Sequence, residues 1–246
     1  MTHEPVTIVG ADRPSRFVVV CDHATNLVPA EINGGSLGLP PEDMERHIAY
    51  DVGALGVATE LAQALDAPLA ASRFSRLVID PNRGEDDPTL VMRLYDGSII
   101  PANRHVDEAE IRRRLDAYYR PYHAALSQLL DRRDDPILVS VHSFTPQLRN
   151  RPKRPWHVGL LYSADTRLAH PLLARLRREP GLVVGDNEPY SGHLPGDTID
   201  RHGLQRGIPH VLIELRNDLI RAPGDQRAWG KRLAPMLGEA AEDARL

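Results

Sequence analysis

Short runs of Val, Ile and Leu that do not alternate with polar residues constrain this chain most. "RFVVVCDH" at 16 to 23, "RLVIDP" at 76 to 81, "PILVSVHSF" at 136 to 144, "HVGLLYS" at 157 to 163 and "PHVLIELR" at 209 to 216 each have strand length. A strand with one wet face alternates, whereas a strand covered on both faces does not. "PLAASR" at 68 to 73 and "GLVVGDN" at 181 to 187 are weaker strand candidates. Helical patterns fall between these runs. Residues 51 to 66 place Leu55, Leu61 and Leu65 on a shared face, with Asp51 near the start. Residues 107 to 132 open with an N-cap and an acidic first turn, and Pro121 is expected to kink or divide that helix. Further helices are expected over 165 to 178 and 224 to 245. The alternation predicts one α/β domain over residues 1 to 246, built on a central mixed, mostly parallel sheet with helices on both faces.

With 41% hydrophobic residues in 246, the chain can bury a sizeable core. A net charge of -4 argues against a nucleic-acid or anionic-membrane partner. The richest basic run, "LRNRPKRPWH", is short and broken by prolines, so it reads as a solvated or substrate-facing loop. Cys21 stands alone, which rules out an intrachain disulfide or a thiolate metal cluster and fits a reducing, cytoplasmic setting. The first residues lack a signal-peptide pattern, and no apolar run is long enough to span a membrane.

In open α/β sheets, ligands bind off the carboxyl ends of the strands. Those ends carry His23, the "DPNR" segment of Asp80 to Arg83, His142 with Ser143, and Glu214 with Arg216. Any one of them would be unremarked as a structural residue. A glutamate inside "VLIELR" is harder to set aside, because a buried carboxylate needs a partner, and Arg216 two residues on could supply it. Two imidazoles, carboxylates and arginines at separate strand ends suit metal-assisted hydrolysis. Zinc takes two histidines and a carboxylate and leaves a position open for water, while a nearby glutamate moves the proton. His23 and His142 are the expected metal histidines. The third ligand is open: a His-x-x-Glu spacing is missing because Asn26 stands in that place. Asp51 is preferred, with Glu31 and Asp22 behind it. Asp22 is placed better as outer support for a histidine.

The ordered segments "CDHATNLVP", "HIAYDVGA", "SRLVIDPNR", "SVHSF", "NEPYSG", "DRHG" and "VLIELRNDLI" resemble the N-formylglutamate amidohydrolase family, over roughly residues 15 to 235. More distantly the chain resembles the zinc carboxypeptidase and aspartoacylase group, in which an Asp-x-Asn-Arg segment also occurs. The resemblance implies a metal-dependent hydrolase, with one Zn²⁺ or another divalent ion, that cleaves a small acyl amino acid such as N-formyl-L-glutamate to formate and glutamate. It implies metal ligation by His23, Asp51 and His142, an acid/base role for Glu214, and a carboxylate or oxyanion role for Arg83. His202, in a flexible loop, is implied to touch substrate. Arg76, Asn82, Tyr190 and Arg216 are further substrate-binding candidates. The first motif departs from the Pro-His-Ser-Gly type of the histidine-degradation enzymes. The alternatives are a peptidase or amidase on another acylated amino acid or cell-wall peptide, and a non-catalytic binding protein.

Other features are read as structural. His47 is taken as a loop residue rather than a ligand, and His105, His123, His157, His170, His193 and His210 as surface or structural. Ser143 lacks nucleophile-elbow glycines, "GGSLGL" lacks a phosphate-loop ending, and Cys21 is a core thiol. Nothing in the sequence sets an oligomeric state.

Overall fold

A computed structural model describes residues 3–192 and 194–246. The expectation for His193 therefore lies outside the described residues. In chain order the main elements are β1 (Val6–Val9), β2 (Phe17–Cys21), α1 (Pro41–Met44), α2 (Ala54–Ala64), β3 (Leu69–Ser72), β4 (Leu94–Tyr95), β5 (Ser98–Ile99), α3 (Glu108–Arg114), α4 (Arg120–Asp131), β6 (Ile137–Phe144), β7 (Val158–Leu161), α5 (Ala169–Leu176), β8 (Val184–Asp186), α6 (Thr198–His202), β9 (His210–Arg216) and α7 (Pro223–Asp243).

Seven strands form one sheet in the order β1-β3-β2-β6-β9-β7-β8. Strands β3, β2, β6 and β9 run parallel, while β1 and the β7–β8 pair run against them at the two sides. Strands β4 and β5 make a separate hairpin. The unalternating apolar runs have their reason in the two cores. Val19 and Cys21 of β2, with Val139 and Val141 of β6, pack on α2, α5 and α7. Val18 and Val20 face the other way, against Tyr118, Tyr122 and Leu126. The fold is thus a single α/β domain of three layers, helices covering both faces of the sheet. Among the described residues, no helix is long and apolar enough to cross a membrane.

The 107 to 132 helix is one path in three parts. Asp107 caps its start by accepting a bond from the Glu110 amide at 2.9 Å. Residues Leu115–Tyr119 then widen into a π-helical turn, which seats Pro121 in the first turn of α4.

One expected strand does not form. "RLVIDP" at 76 to 81 is buried but runs as turns. Its carbonyls find side-chain donors instead of a neighbouring strand: Asn103 Nδ2 donates to Leu77 O at 2.7 Å, and Arg114 Nη1 to Val78 O at 2.8 Å. The strand in this part of the chain is the weaker candidate, Leu69–Ser72, so the Asp80–Arg83 segment is a loop beyond β3. The edge strand β1 had no expectation, because its residues are only half covered.

Candidate active site

Four parallel strands end on one side of the sheet, and their exits bring the chemistry together. Asp22 and His23 follow β2 directly, and the His23 carbonyl accepts a bond from the Asp51 amide at 2.9 Å. That bond fixes Asp51 just ahead of α2. Gly53 makes the turn possible: its φ is +81°, and a Cβ there would sit 2.2 Å from the Ile220 carbonyl oxygen. His142 in β6 and Glu214 in β9 are register partners on adjacent parallel strands, so their side chains leave the same face.

Asp51 Oδ2 is the centre of the cluster. It accepts from His142 Nδ1 at 2.8 Å and from the Ser143 amide at 3.1 Å, with His23 Nδ1 at 3.4 Å. One ligand atom each from His23, Asp51 and His142 lies within 4.8 Å of the others, and all three residues are buried. The outer ring nitrogens are held by two more carboxylates. His23 Nε2 donates to Asp80 Oδ1 at 2.6 Å, and His142 Nε2 donates to Asp22 Oδ2 at 3.0 Å. Asp80 is itself held by Arg76, through Nη2 at 2.8 Å and Nε at 3.1 Å. Asp22 accepts from Tyr122 OH at 2.8 Å, Thr198 Oγ1 at 2.7 Å and Ser140 Oγ at 3.0 Å.

Burial works against the charges of Asp22, Asp51, Asp80 and His142, and the neighbours overrule it. Burial alone would raise Asp51, yet His23 and His47 beside it hold its carboxyl well below the usual range. Asp80 is held well below in the same way by Arg76, and His142 is held well above the usual histidine range by Asp22 and Asp51. Two inward imidazole nitrogens and one ionised carboxylate, each ring locked from behind by a carboxylate, fit a divalent metal such as zinc.

Glu214 differs from the other carboxylates. It is buried, its Oε2 has no hydrogen-bond partner among the described residues, and burial pushes it up to about 8. With His23, Asp51 and His142 it lines a cavity of about 280 Å³. Arg76, Asn82, Arg83 and Tyr190 also line it. Arg83 Nη1 donates to the Asn82 carbonyl at 2.7 Å, and Asn82 Oδ1 accepts from the Thr198 amide at 3.1 Å. Tyr190 OH accepts from Arg154 Nη1 at 3.1 Å, and the Arg154 guanidinium lies 4.9 Å from the Tyr190 ring centre.

Several expectations need correcting. His202 is not in a flexible loop; it ends α6, is buried, and its Nε2 is 2.9 Å from His123 Nδ1, outside the cavity wall. Arg216 does not pair with Glu214. Its Nε donates to Asp218 Oδ1 at 2.8 Å and its Nη1 faces the carbonyls of Arg154, Pro155 and Trp156. Glu31 is exposed, and Asn26 joins the Met44 carbonyl to Glu45, so neither meets the histidines. His47 does lie in a loop, but in the cavity wall with Nδ1 3.2 Å from Asp51 Oδ1. Its signal was visible as a four-residue spacing to Asp51. Tyr95, from the β4–β5 hairpin, and Asp197, pushed up to about 7 by burial, also line the cavity and had no sequence signal.

Known proteins resemble this chain in sequence and in fold. A curated relative, the N-formylglutamate deformylase of Pseudomonas putida, is 28% identical over 176 residues, covering 63% of this chain and 65% of the relative. The chain thus matches somewhat less than two thirds of that protein's length. The crystal structure of gene product Atu2144 from Agrobacterium tumefaciens superposes with a TM-score of 0.93 at 34% identity, over 99% of this chain and 97% of that one. The N-formylglutamate amidohydrolase structure from Ralstonia eutropha JMP134 shares the fold, with a TM-score of 0.71 at 23% identity over 98% of each chain. The family model of N-formylglutamate amidohydrolase matches residues 15–221, and this chain belongs to that family.

Proposed function

We propose that this chain hydrolyses the amide bond of a small N-acyl amino acid, with N-formyl-L-glutamate, giving formate and L-glutamate, as the reference substrate. One observation carries the reading: the His23, Asp51 and His142 cluster and Glu214, whose Oε2 has no partner among the described residues, line a single cavity. One zinc ion per chain, held by His23, Asp51 and His142, would supply the Lewis acid that polarises the amide carbonyl and acidifies water.

The protein's own groups handle binding and protons. Glu214 takes a proton from the attacking water as the new C–O bond forms. It then delivers that proton to the amine nitrogen as the C–N bond breaks, so one carboxyl serves as base and then acid. Its position near 8 places both protonation states within reach of neutrality. Arg83 offers a planar fork to the substrate carboxylate, with Asn82 beside it. Arg76 faces the same cavity while holding Asp80. Tyr190 keeps its proton because burial raises its pKa, and its oxygen is already an acceptor for Arg154; its hydroxyl is left to donate to substrate. His202 and Arg216 have no proposed contact with substrate. Cys21 is the lone cysteine and can form no intrachain disulfide, which supports placing this activity in the reducing cytoplasm.

The test is metal content measured together with formate release from N-formyl-L-glutamate, before and after chelation. Activity that vanishes on chelation and returns with Zn²⁺ supports the reading. A metal-replete protein that releases no formate, or a fully active metal-free one, overturns it.

A further inference from the structure

A second cavity of about 270 Å³ adjoins the first. His47 and Tyr95 line both, so the two meet at these side chains. The walls of the second cavity come from the loops after β6 and β9 and the loop before Asp51, on the same side of the sheet as the candidate active site.

Its charges are not balanced. The Glu45 carboxylate is engaged by Asn26 at 3.1 Å and Tyr50 at 3.3 Å. Asp96 accepts from Arg46 at 2.6 Å and from the Arg149 amide at 3.2 Å, and Arg46 also bonds Asp43. Of the other two guanidinium groups on the same cavity, Arg149 is held only by one long ion pair and Arg221 by none among the described residues. The Arg149 side chain is 56% exposed, and the nearest carboxylate oxygen given for it, on Asp43, is 4.0 Å away. Arg221 is exposed and has no ion pair among the described residues. Scattered surface arginines would need no explanation, but these two share one concave wall that opens towards the reacting groups. An independent feature lies beside them. Asn217 lines this cavity, is only 5% exposed, and its Oδ1 has no donor among the described residues. A buried acceptor of this kind is short of an N–H group.

A free guanidinium on Arg221 and a loosely paired one on Arg149 ask for a carboxylate, and a carbonyl-type acceptor beside them asks for an amide N–H. We propose that the second cavity is a subsite for a substrate that continues, through a second amide, into another carboxylate-bearing residue. That carboxylate sits between Arg149 and Arg221, and the linking amide N–H is directed to Asn217. The inference rests on the first cavity being the site of an amidohydrolase, and it extends the substrate class from an N-acyl amino acid to an N-acyl acidic peptide.

Equilibrium binding to the 246-residue chain tests it without depending on turnover. The probes are L-glutamate, α-L-glutamyl-L-glutamate and γ-L-glutamyl-L-glutamate, the two dipeptides distinguishing the linkage. At least one dipeptide should bind roughly tenfold or more tightly than glutamate, the scale of an added charge-assisted contact. The Arg149→Ala/Arg221→Ala double variant should erase that advantage, with thermal unfolding confirming that it folds. Two dipeptides no tighter than glutamate, or an advantage that survives the double variant, overturn the proposal. Failure of the parent assignment shows separately, as no formate from N-formyl-L-glutamate, while the dipeptide preference still reads on the subsite.

Discussion

Asp22 and His142 are joined by a 3.0 Å hydrogen bond from the ring Nε2 to Oδ2, which leaves the other ring nitrogen turned towards Asp51. The carboxylate thereby sets which nitrogen of His142 faces the cluster. Asp22→Asn removes the charge while keeping the shape. Metal affinity, read by competition with a chelator, should fall about 10- to 100-fold, as it does when the group behind a ligating histidine is altered. Unchanged affinity would show that the ring needs no such support.

Glu214 is assigned the proton transfer alone. Glu214→Gln should lower the rate of formate release by ~10²- to 10⁴-fold, the range of a lost acid/base group, with metal content unchanged by elemental analysis. Loss of metal along with activity would move Glu214 into the ligand set.

The same side chain has a consequence for stability. Its folded pKa, near 8, lies above the ordinary 4.5, so its neutral form is the one that folding favours. Stability from this group is whole below pH 4.5 and is lost as pH rises through about 8. In metal-free protein, Glu214→Gln should therefore raise the denaturant midpoint at pH 8 and leave it nearly unchanged at pH 4. An equal shift at both values would contradict this.

His123 and His202 act with the opposite sign. Burial lowers His123 to about 3 and His202 to about 4, and the 2.9 Å contact between their rings leaves little room for a second charge. Both are folded in the neutral form, so their stabilisation is present above pH 6.5 and is lost as pH falls towards 4. Denaturant midpoints should drop across that interval, and His202→Gln should flatten the drop. His123 Nε2 donates to the Pro81 carbonyl at 3.0 Å, so protonation of His123 places its new proton at Nδ1, against His202 Nε2.

Gly53 links backbone geometry to the cluster. Gly53→Ala meets both a left-handed φ of +81° and the Ile220 carbonyl, so the turn must shift. Stability should fall by more than ~1 kcal/mol, and metal affinity with it, because Asp51 lies two residues away. Calorimetric unfolding and chelator competition check the two effects.

The strand ends were legible because their chemistry interrupts apolar runs. His142 and Glu214 stand out inside "ILVSVHSF" and "HVLIELR", and the structure sets them side by side. "RLVIDP" misled for the same reason. Its apolar residues are buried as a strand's would be, but Asn103 and Arg114 satisfy its backbone, and no local pattern announces donors that far along the chain. His202 misled in the other direction. "DRHG" looks like a loop segment, whereas α6 folds the imidazole under the site against His123.

By itself, the sequence determined the layered α/β architecture and the supply of histidines and carboxylates at strand ends, because two-sided burial and strand termination are local properties. Only the tertiary structure decided how they are used. The partners in the cluster are separated by 28 residues for His23 and Asp51 and by 120 for Asp22 and His142. Contacts of that range follow from strand order and loop closure, and these assigned Asp51 to the centre, Asp22 and Asp80 to the support of the rings, and Arg216 to the backbone ahead of β7.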